Sequence, residues 1–206
     1  MKVTIVFLST LALIFSAPQP RKNFHRHADD FLDLILDESF DEIFCIMDRY
    51  LEYEEFTRNL DYLAWNFRHL VYEIKLLPEF KAMTDFLKQD NISIWYFIDL
   101  LDEIIEDLQD FRTARHLVSG RNMTAFINDC VAVFPQNKLT GLYKWKIAKD
   151  KEFRVAMENL QSEEWNQICD ALWSNETFIG ITKILNTNGI DLQVLVYALK
   201  ATFGQF

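Results

Sequence analysis

The chain has 206 residues, of which half are hydrophobic and 15% aromatic, and its formal net charge is −10 at pH 7. Such an acidic balance disfavours nucleic acid as a partner, and it disfavours binding to an anionic lipid surface through overall charge. The length suffices for one large domain or two small ones whose core needs no disulfide staples.

The N-terminus predicts a secretory signal peptide over residues 1–17. Lys2 gives it a basic start, and residues 3–17 form an almost uninterrupted apolar run. That run is shorter than the roughly 20 apolar residues that a membrane-spanning helix needs. We expect cleavage near Ala17 and a secreted protein, with an uncleaved signal anchor as the alternative.

Residues 18–28 predict a flexible lead-in, because they are polar, basic and contain proline. His25 and His27 form an H-x-H pattern within this segment. Two histidines do not complete a metal coordination shell, and no further ligands accompany them at motif spacing. We therefore predict a polar tail rather than a metal site.

From Phe31 onward the apolar residues recur at helical spacing, and no run alternates in the manner of a β-strand. The chain has only five glycines and four prolines to interrupt these helices. One apolar face starts at Phe56, with a break predicted at residues 64–66, and Pro78 stands at a first-turn position. The pattern predicts an all-α fold.

The second half of the chain repeats the first, with matching apolar residues 97 and then 98 positions apart. The pairs are Phe56/Phe153, Leu60/Met157, Leu63/Leu160, Phe67/Trp165, Leu70/Ile168, Ile74/Leu172, Phe80/Phe178, Leu87/Leu185, Ile98/Val196 and Leu101/Leu199. This duplication predicts one globular domain of two repeats with five or six helices each, over residues 29–110 and 124–206, with a connection at 111–123. The copied positions are nearly all apolar, so the duplication preserves an interior rather than a catalytic residue.

Cys45, Cys130 and Cys169 all lie on apolar helical stripes, which favours their interpretation as buried small hydrophobes. Three cysteines allow at most one internal disulfide, and the candidate for it is a Cys130–Cys169 bridge within the second repeat.

Three N-x-[ST] sequons predict candidate glycosylation sites at Asn91, Asn122 and Asn175. Each lies at a predicted connection between helices. Asn122 is favoured, because it belongs to the polar stretch between the repeats.

Motifs typical of catalysis or phosphate binding, such as G-x-S-x-G, H-E-x-x-H and C-x-x-C, do not occur in the sequence. Carboxylates are abundant but fall on the polar faces of predicted helices, as Glu103, Glu106 and Asp107 do. We therefore predict a protein that is not an enzyme and that uses no cofactor.

The last helix of each repeat is apolar nearly all round. Such helices can be central in a packed core, line an internal cavity, or face a partner or membrane. We assign six of their residues to a cavity lining, with core packing as the alternative for each. The six are Trp95, Ile98, Leu101, Leu195, Val196 and Leu199.

Several segments resemble the insect allergen repeat family, which includes cockroach allergens and insect midgut microvillar proteins. They are D-F-L-D-L-I at 30–35, L-P-E-F-K at 77–81, N-I-S-I-W-Y-F-I-D-L-L at 91–101, L-Q-S-E-E-W at 160–165 and N-G-I-D-L-Q-V-L-V-Y-A-L at 188–199. The resemblance covers residues 29–204. The chain departs from the family at residues 64–67, with A-W-N-F, and at residues 175–178, with N-E-T-F; both changes fall at helix junctions.

The resemblance implies two repeats of about six helices that enclose one large apolar cavity. Cockroach members of the family carry fatty acids and phospholipids there, and members are typically secreted by midgut epithelium and associate with microvilli or the peritrophic matrix. It therefore implies a secreted, non-selective lipid-binding protein in the gut lumen or at the microvillar surface. The alternatives are a membrane-associated structural or lytic microvillar protein and, with less support, a nitrile-specifier-like detoxification factor.

Overall fold

The computed structural model describes residues 23–110 and 120–205, and over these residues the chain forms α-helices and no β-strand. The all-α prediction is confirmed. The helices are α1 (Asn23–Tyr50), α2 (Glu54–Lys75), α3 (Pro78–Gln89), α4 (Ile94–Asp110), α5 (Met123–Ala132), α6 (Gln136–Lys149), α7 (Lys151–Asn159), α8 (Glu163–Ser174), α9 (Glu176–Thr187) and α10 (Leu192–Thr202). The predicted signal peptide and most of the predicted connection lie outside the described residues.

The first turns of α1 occupy part of the segment that was predicted to be a flexible lead-in. Phe24, Ala28, Phe31 and Ile35 are each at most 5% exposed. Their positions i, i+4, i+7 and i+11 place them on one side of a helix. The lead-in prediction is therefore wrong from residue 23 onward, because this apolar stripe packs α1 into the core from its first turn.

His25 anchors the same turn to the start of α4. Its Nε2 accepts a hydrogen bond from the Ser93 backbone N–H at 3.2 Å, and its ring stacks on Tyr96 with 4.5 Å between centroids. The Tyr96 hydroxyl donates to the Asp29 carboxylate at 2.6 Å. This histidine is therefore a packing residue.

Helix α2 is continuous, so the break predicted at residues 64–66 is wrong. The Asn66 side chain donates back to the Tyr62 carbonyl at 2.8 Å instead of capping the amides that follow. In the second half the break does occur, since the Ser162 hydroxyl accepts from the Trp165 backbone N–H at 3.1 Å and begins α8 after the end of α7. A capping serine is present at one junction and missing at the other.

Helix α1 also runs through a junction that divides the second half, where Pro135 separates α5 from α6. Proline cannot donate a backbone hydrogen bond, so it interrupts the helical ladder. The Ser39 hydroxyl of α1 donates to the Val133 carbonyl at 2.7 Å and satisfies an acceptor that the interruption leaves free. The described part of the first half thus has four helices rather than five or six, whereas the second half has six as predicted.

Downstream of these junctions the helices of the two halves begin at equivalent positions, 98 residues apart. Helices α3 and α9 have 12 residues each, and Glu176 follows Pro78 by 98 positions. A left-handed residue then leads into the next helix in both halves, Asn91 with φ 57° and Gly189 with φ 72°. Asn and Gly are the residues that reach this region at least cost.

Three clusters of buried apolar side chains hold the helices together. The first includes Tyr50, Phe56, Leu60, Ile105, Met123 and Ile181; the second includes Phe31, Leu87, Ile92, Leu139 and Phe153; the third consists of Leu77, Phe80, Leu172 and Phe178. Every cluster draws residues from both halves of the chain. Burial of a large apolar side chain stabilises a fold by about 1.5–3 kcal/mol, so these shared clusters make the halves one folding unit.

A buried polar joint links the halves beside the first cluster. Asn59 of α2 is 5% exposed, and its Oδ1 accepts from the Met123 backbone N–H at 3.0 Å where α5 begins. The Thr124 N–H and hydroxyl both donate to the Gly189 carbonyl, at 3.1 and 2.9 Å. One asparagine therefore fixes the start of α5 against the turn between α9 and α10.

Candidate functional site

Two of the predicted cavity residues lie near the start of α4. Trp95 is 38% exposed and meets Phe80 edge to face, with 6.0 Å between ring centroids. Ile98 is half-buried and packs against the third cluster, which also contains Phe80. The structure therefore brings Trp95 and Ile98 together at the surface of one cluster.

Leu101 lies at the middle of the apolar face of α4 and is nevertheless 38% exposed. At 100° per residue, it falls between the directions of Ile105 and Leu108, which are 7% and 6% exposed. If other side chains packed against α4 at this turn, they would cover Leu101. Its exposure shows that the apolar face of α4 borders an open space one turn before the packed end of the helix.

The equivalent residues of α10 show the same property. Leu199 is 45% exposed and Val196 is 40% exposed, whereas Leu195 is half-buried and packs against the first cluster. Leu199 points between the directions of Leu192 and Leu195, so it too belongs to the apolar face of its helix. Leu101 and Leu199, which the duplication pairs, are thus both accessible apolar residues.

The six residues do not join into a single lining. Ile98 packs against the third cluster and Leu195 against the first, and Trp95 contacts Phe80. Four of the six are exposed, Trp95 and Leu101 by 38%, Val196 by 40% and Leu199 by 45%. The enclosed chamber that the resemblance implies stays a prediction.

A half-open pocket of about 350 Å³ lies elsewhere, where the start of α1 meets the turn between α3 and α4 and the start of α7. Phe24, Phe153 and Val155 supply its apolar surface, and charged and amide side chains surround them. These others are His27, Gln89, Asp90, Asn91, Lys151 and Glu152. The sequence analysis missed this pocket, although the heptad-like spacing of Phe24 with the apolar residues after it signals that α1 begins early.

A buried lysine stands behind this pocket. Lys146 of α6 is 3% exposed, and its ammonium donates to Asp30 at 2.5 Å and to His27 Nδ1 at 3.0 Å. It also lies 5.8 Å from the centroid of the Phe31 ring. A charge at this depth requires such partners, because an unpaired buried ammonium is costly. No motif marked Lys146, but it follows the buried Leu139 by seven residues, which places both on the same face of α6.

These contacts determine the tautomer of His27. An ammonium only donates, so Nδ1 is the acceptor and the ring proton lies on Nε2, which is 3.4 Å from Asp150 Oδ2. Burial and the positive charge of Lys146 lower the pKa of His27 below 6.5, against the opposing pull of nearby carboxylates. The second histidine of the H-x-H pattern is therefore held neutral at the joint between α1 and the α6–α7 corner.

The cysteines form no disulfide, so the predicted Cys130–Cys169 bridge is wrong in this structure. Cys130 lies on α5, Cys169 lies on α8, and these thiols and that of Cys45 are all free. Burial raises the pKa of Cys130 to about 12 and raises that of Cys169 in the same direction. Cys130 and Cys169 are half-buried, which fits their interpretation as small hydrophobes in part, whereas Cys45 is exposed and does not fit it.

Two of the three sequon asparagines cap helices. The Asn122 side chain accepts from the Ala125 N–H at 3.0 Å at the start of α5, and Asn175 does the same for Phe178 at the start of α9. The Asn175 Nδ2, the atom to which a glycan is attached, donates to Glu79 at 3.1 Å. Asn91 is exposed at a turn, so the structure favours this site over Asn122. Glycosylation itself stays a prediction.

Two searches of the described residues give no site. In residues 23–110 and 120–205, no three His, Cys, Asp or Glu side chains come together as a metal-binding group. Over the same part of the chain, no helix is both long and apolar enough to span a membrane.

The sequence was compared with known proteins. A family described as "insect allergen related repeat, nitrile-specifier detoxification" matches residues 23–196. The chain belongs to the insect allergen related repeat family. The family match begins where α1 begins, so it includes the first turns that the lead-in prediction excluded. No curated protein matches this insect allergen related repeat protein.

Proposed function

We propose that this member of the insect allergen related repeat family is a secreted, non-enzymatic carrier that holds fatty acids or phospholipids against the apolar faces of α4 and α10. The observation that carries the proposal is the exposure of Leu101 and Leu199, at 38% and 45%, in the middle of those faces. Ligand sites are lined mainly by apolar side chains, and these two residues supply apolar surface that the fold leaves uncovered. In residues 23–110 and 120–205, ten helices are available to shelter such a ligand.

The energy of acyl-chain burial suffices for such a role. Each buried methylene contributes about 0.8 kcal/mol, so a chain of about 16 carbons gains on the order of 10 kcal/mol before the entropy costs of binding. The binding free energy that is left after these entropy costs corresponds to a dissociation constant in the micromolar range or lower, without any directed polar contact. Selectivity among acyl lipids should then be low, because methylenes differ little from one another.

Titration with a fluorescent fatty acid tests the proposal. We expect saturable binding to the unaltered protein and displacement by oleate. In the double variant Leu101→Asp/Leu199→Asp, two charges would oppose the acyl chain, and we expect affinity to fall at least tenfold. Both positions already contact solvent, so circular dichroism and the melting temperature should change little.

The matched control is Trp65→Asp. Trp65 is also a large apolar residue, 85% exposed, but it lies on the outward side of α2. This variant should bind the fatty acid as the unaltered protein does. Equal affinity for all three proteins would show that α4 and α10 do not hold the ligand.

The family description supplies a second candidate, a nitrile-specifier factor that redirects the breakdown of a plant toxin. Incubation with a glucosinolate and myrosinase distinguishes the two functions. A carrier leaves the product mixture unchanged, whereas a specifier shifts it toward nitriles.

A further inference from the structure

Helix α6 is basic in an acidic protein. It carries four lysines and no acidic residue, although the whole chain has a net charge of −10. One of the four, Lys146, points inward with Leu139 and is 3% exposed. The other three point outward, so the positive charge of this helix is concentrated on its solvent side.

A tryptophan stands in the middle of this outward side. Trp145 is 58% exposed, and Lys138 and Lys149 lie seven residues before and four residues after it, on the same stripe of the helix. Lys144 flanks the stripe. Besides Lys149, the exposed positions one turn away from Trp145 are Gly141, around which there is open space, and Ala148. Small neighbours leave the indole ring protruding beyond the helix surface.

The charge on this side is mostly uncompensated. Lys138 pairs with Glu38 of α1. Within residues 23–110 and 120–205, by contrast, no ion pair engages the ammonium groups of Lys144 and Lys149. Charges farther away than about 10 Å are largely screened at physiological salt. Only nearby carboxylates, such as Glu38 and Asp150, therefore offset the positive charge of this side.

We propose that the outward face of α6, formed by Lys138, Lys144, Trp145 and Lys149, docks on an anionic phospholipid bilayer. Lysines near an anionic leaflet each strengthen binding about fivefold, and indole rings prefer the headgroup region. The protruding indole ring can enter the headgroup region, while the lysine ammonium groups on either side of it contact the anionic surface of the bilayer. Binding of this kind is peripheral and reversible, and it does not depend on whether α4 and α10 hold an acyl chain.

The other strongly exposed tryptophan shows why charge matters for this assignment. Trp65 is 85% exposed on α2, but the nearby Arg68 is already paired with Asp102 and Glu106. An aromatic side chain without uncompensated positive charge beside it lacks the electrostatic half of the interaction. Trp65 is therefore a control for exposure alone.

Vesicle flotation of the purified protein tests the proposal. We expect binding to phosphatidylcholine vesicles that contain about one third phosphatidylserine, little binding to pure phosphatidylcholine, and a steep loss between about 50 and 500 mM salt. Lys144→Glu/Lys149→Glu should weaken binding more than tenfold, and Trp145→Ala should weaken it several-fold. All three side chains are exposed, so the variants should remain folded by circular dichroism.

Two controls match these variants in size and charge. Trp65→Ala removes a ring that is even more exposed than that of Trp145, and Lys81→Glu/Lys183→Glu makes the same change in net charge on other helices. Both should bind the anionic vesicles normally, as should the Leu101→Asp/Leu199→Asp variant. Retained binding in that last variant separates docking on a bilayer from uptake of single lipids.

Several results would overturn the proposal. Equal binding to pure phosphatidylcholine would show that charge plays no part. Equal losses for the control charge pair and the α6 pair would show that only net charge matters. Failure to bind phosphatidylserine vesicles, together with binding to soluble polyglutamate, would assign the face to an acidic protein instead.

Discussion

Substitution of Gly189 by alanine should destabilise the protein through the joint between its halves. Gly189 has φ 72° in the turn before α10, and a Cβ placed there would lie 2.6 Å from Asn59 Oδ1. No Cβ approaches an oxygen that closely, so the Asn59 side chain would have to move. Its hydrogen bond from the Met123 N–H would then be lost.

The structure gives the expected size of this effect. A left-handed backbone costs an L-residue about 1–2 kcal/mol, and a buried N–H left without its acceptor costs about 1–3 kcal/mol. The lower flexibility of the unfolded chain with alanine returns about 0.5–1 kcal/mol. We expect the free energy of unfolding to fall by about 2–4 kcal/mol, or roughly 5–15 °C in the melting temperature for a chain of this size.

Urea denaturation followed by circular dichroism measures this difference, with Gly180→Ala as the matched control. Gly180 lies within α9, and a Cβ there meets nothing within 4 Å, so alanine should stabilise the helix by about 0.5–1 kcal/mol. In an Asn59→Ala background the clash with the Asn59 side chain is absent, so Gly189→Ala should lower the free energy of unfolding only by the cost of the left-handed backbone. If Gly189→Ala is as stable as the unaltered protein, the joint does not constrain the turn as described.

Three further predictions follow from titration and exposure. Burial and Lys146 lower the pKa of His27 below 6.5, so as the pH falls the unfolded chain binds a proton at this residue before the folded protein does. The free energy of unfolding should therefore be flat above about pH 6.5 and fall below it. Urea titrations between pH 7.5 and pH 5 should show a shallower fall for His27→Asn. Alkylation by iodoacetamide at pH 8, located by peptide mass spectrometry, should modify the exposed Cys45 far faster than Cys130, whose pKa is about 12; comparable rates would contradict the burial of the second thiol. In a secretory expression host, Asn91→Gln should remove the largest share of any attached glycan, seen as faster migration on a gel. Unchanged migration of a glycosylated protein would instead place the glycan on Asn122 or Asn175.

The helices and most of the core could be predicted because apolar spacing records which side of each helix is buried. Phe56 and Phe153, paired by the duplication, are both 0% exposed. Helix junctions were harder, since they depend on single caps. Ser162 breaks its helix, whereas Asn66 uses its side chain to bond one turn back and lets α2 continue. Periodicity alone does not distinguish these outcomes.

The polar contacts between halves could not be predicted, because their partners lie far apart in sequence. Lys146 meets His27 and Asp30 across more than 110 residues. The expectation from overall charge, which disfavours an anionic lipid surface as a partner, stays a prediction. Overall charge describes the whole molecule, whereas α6 presents three of its four lysines on its solvent side. Such local fields become visible when the direction of each side chain is known.

Organic extraction of the purified protein, followed by mass spectrometry of the extract, tests most directly the claim that this protein carries acyl lipids. The account predicts fatty acids or phospholipids of mixed chain length at a fixed ratio to protein, and their loss from Leu101→Asp/Leu199→Asp but not from Trp65→Asp. Lipid-free protein that also fails to take up added oleate would contradict it.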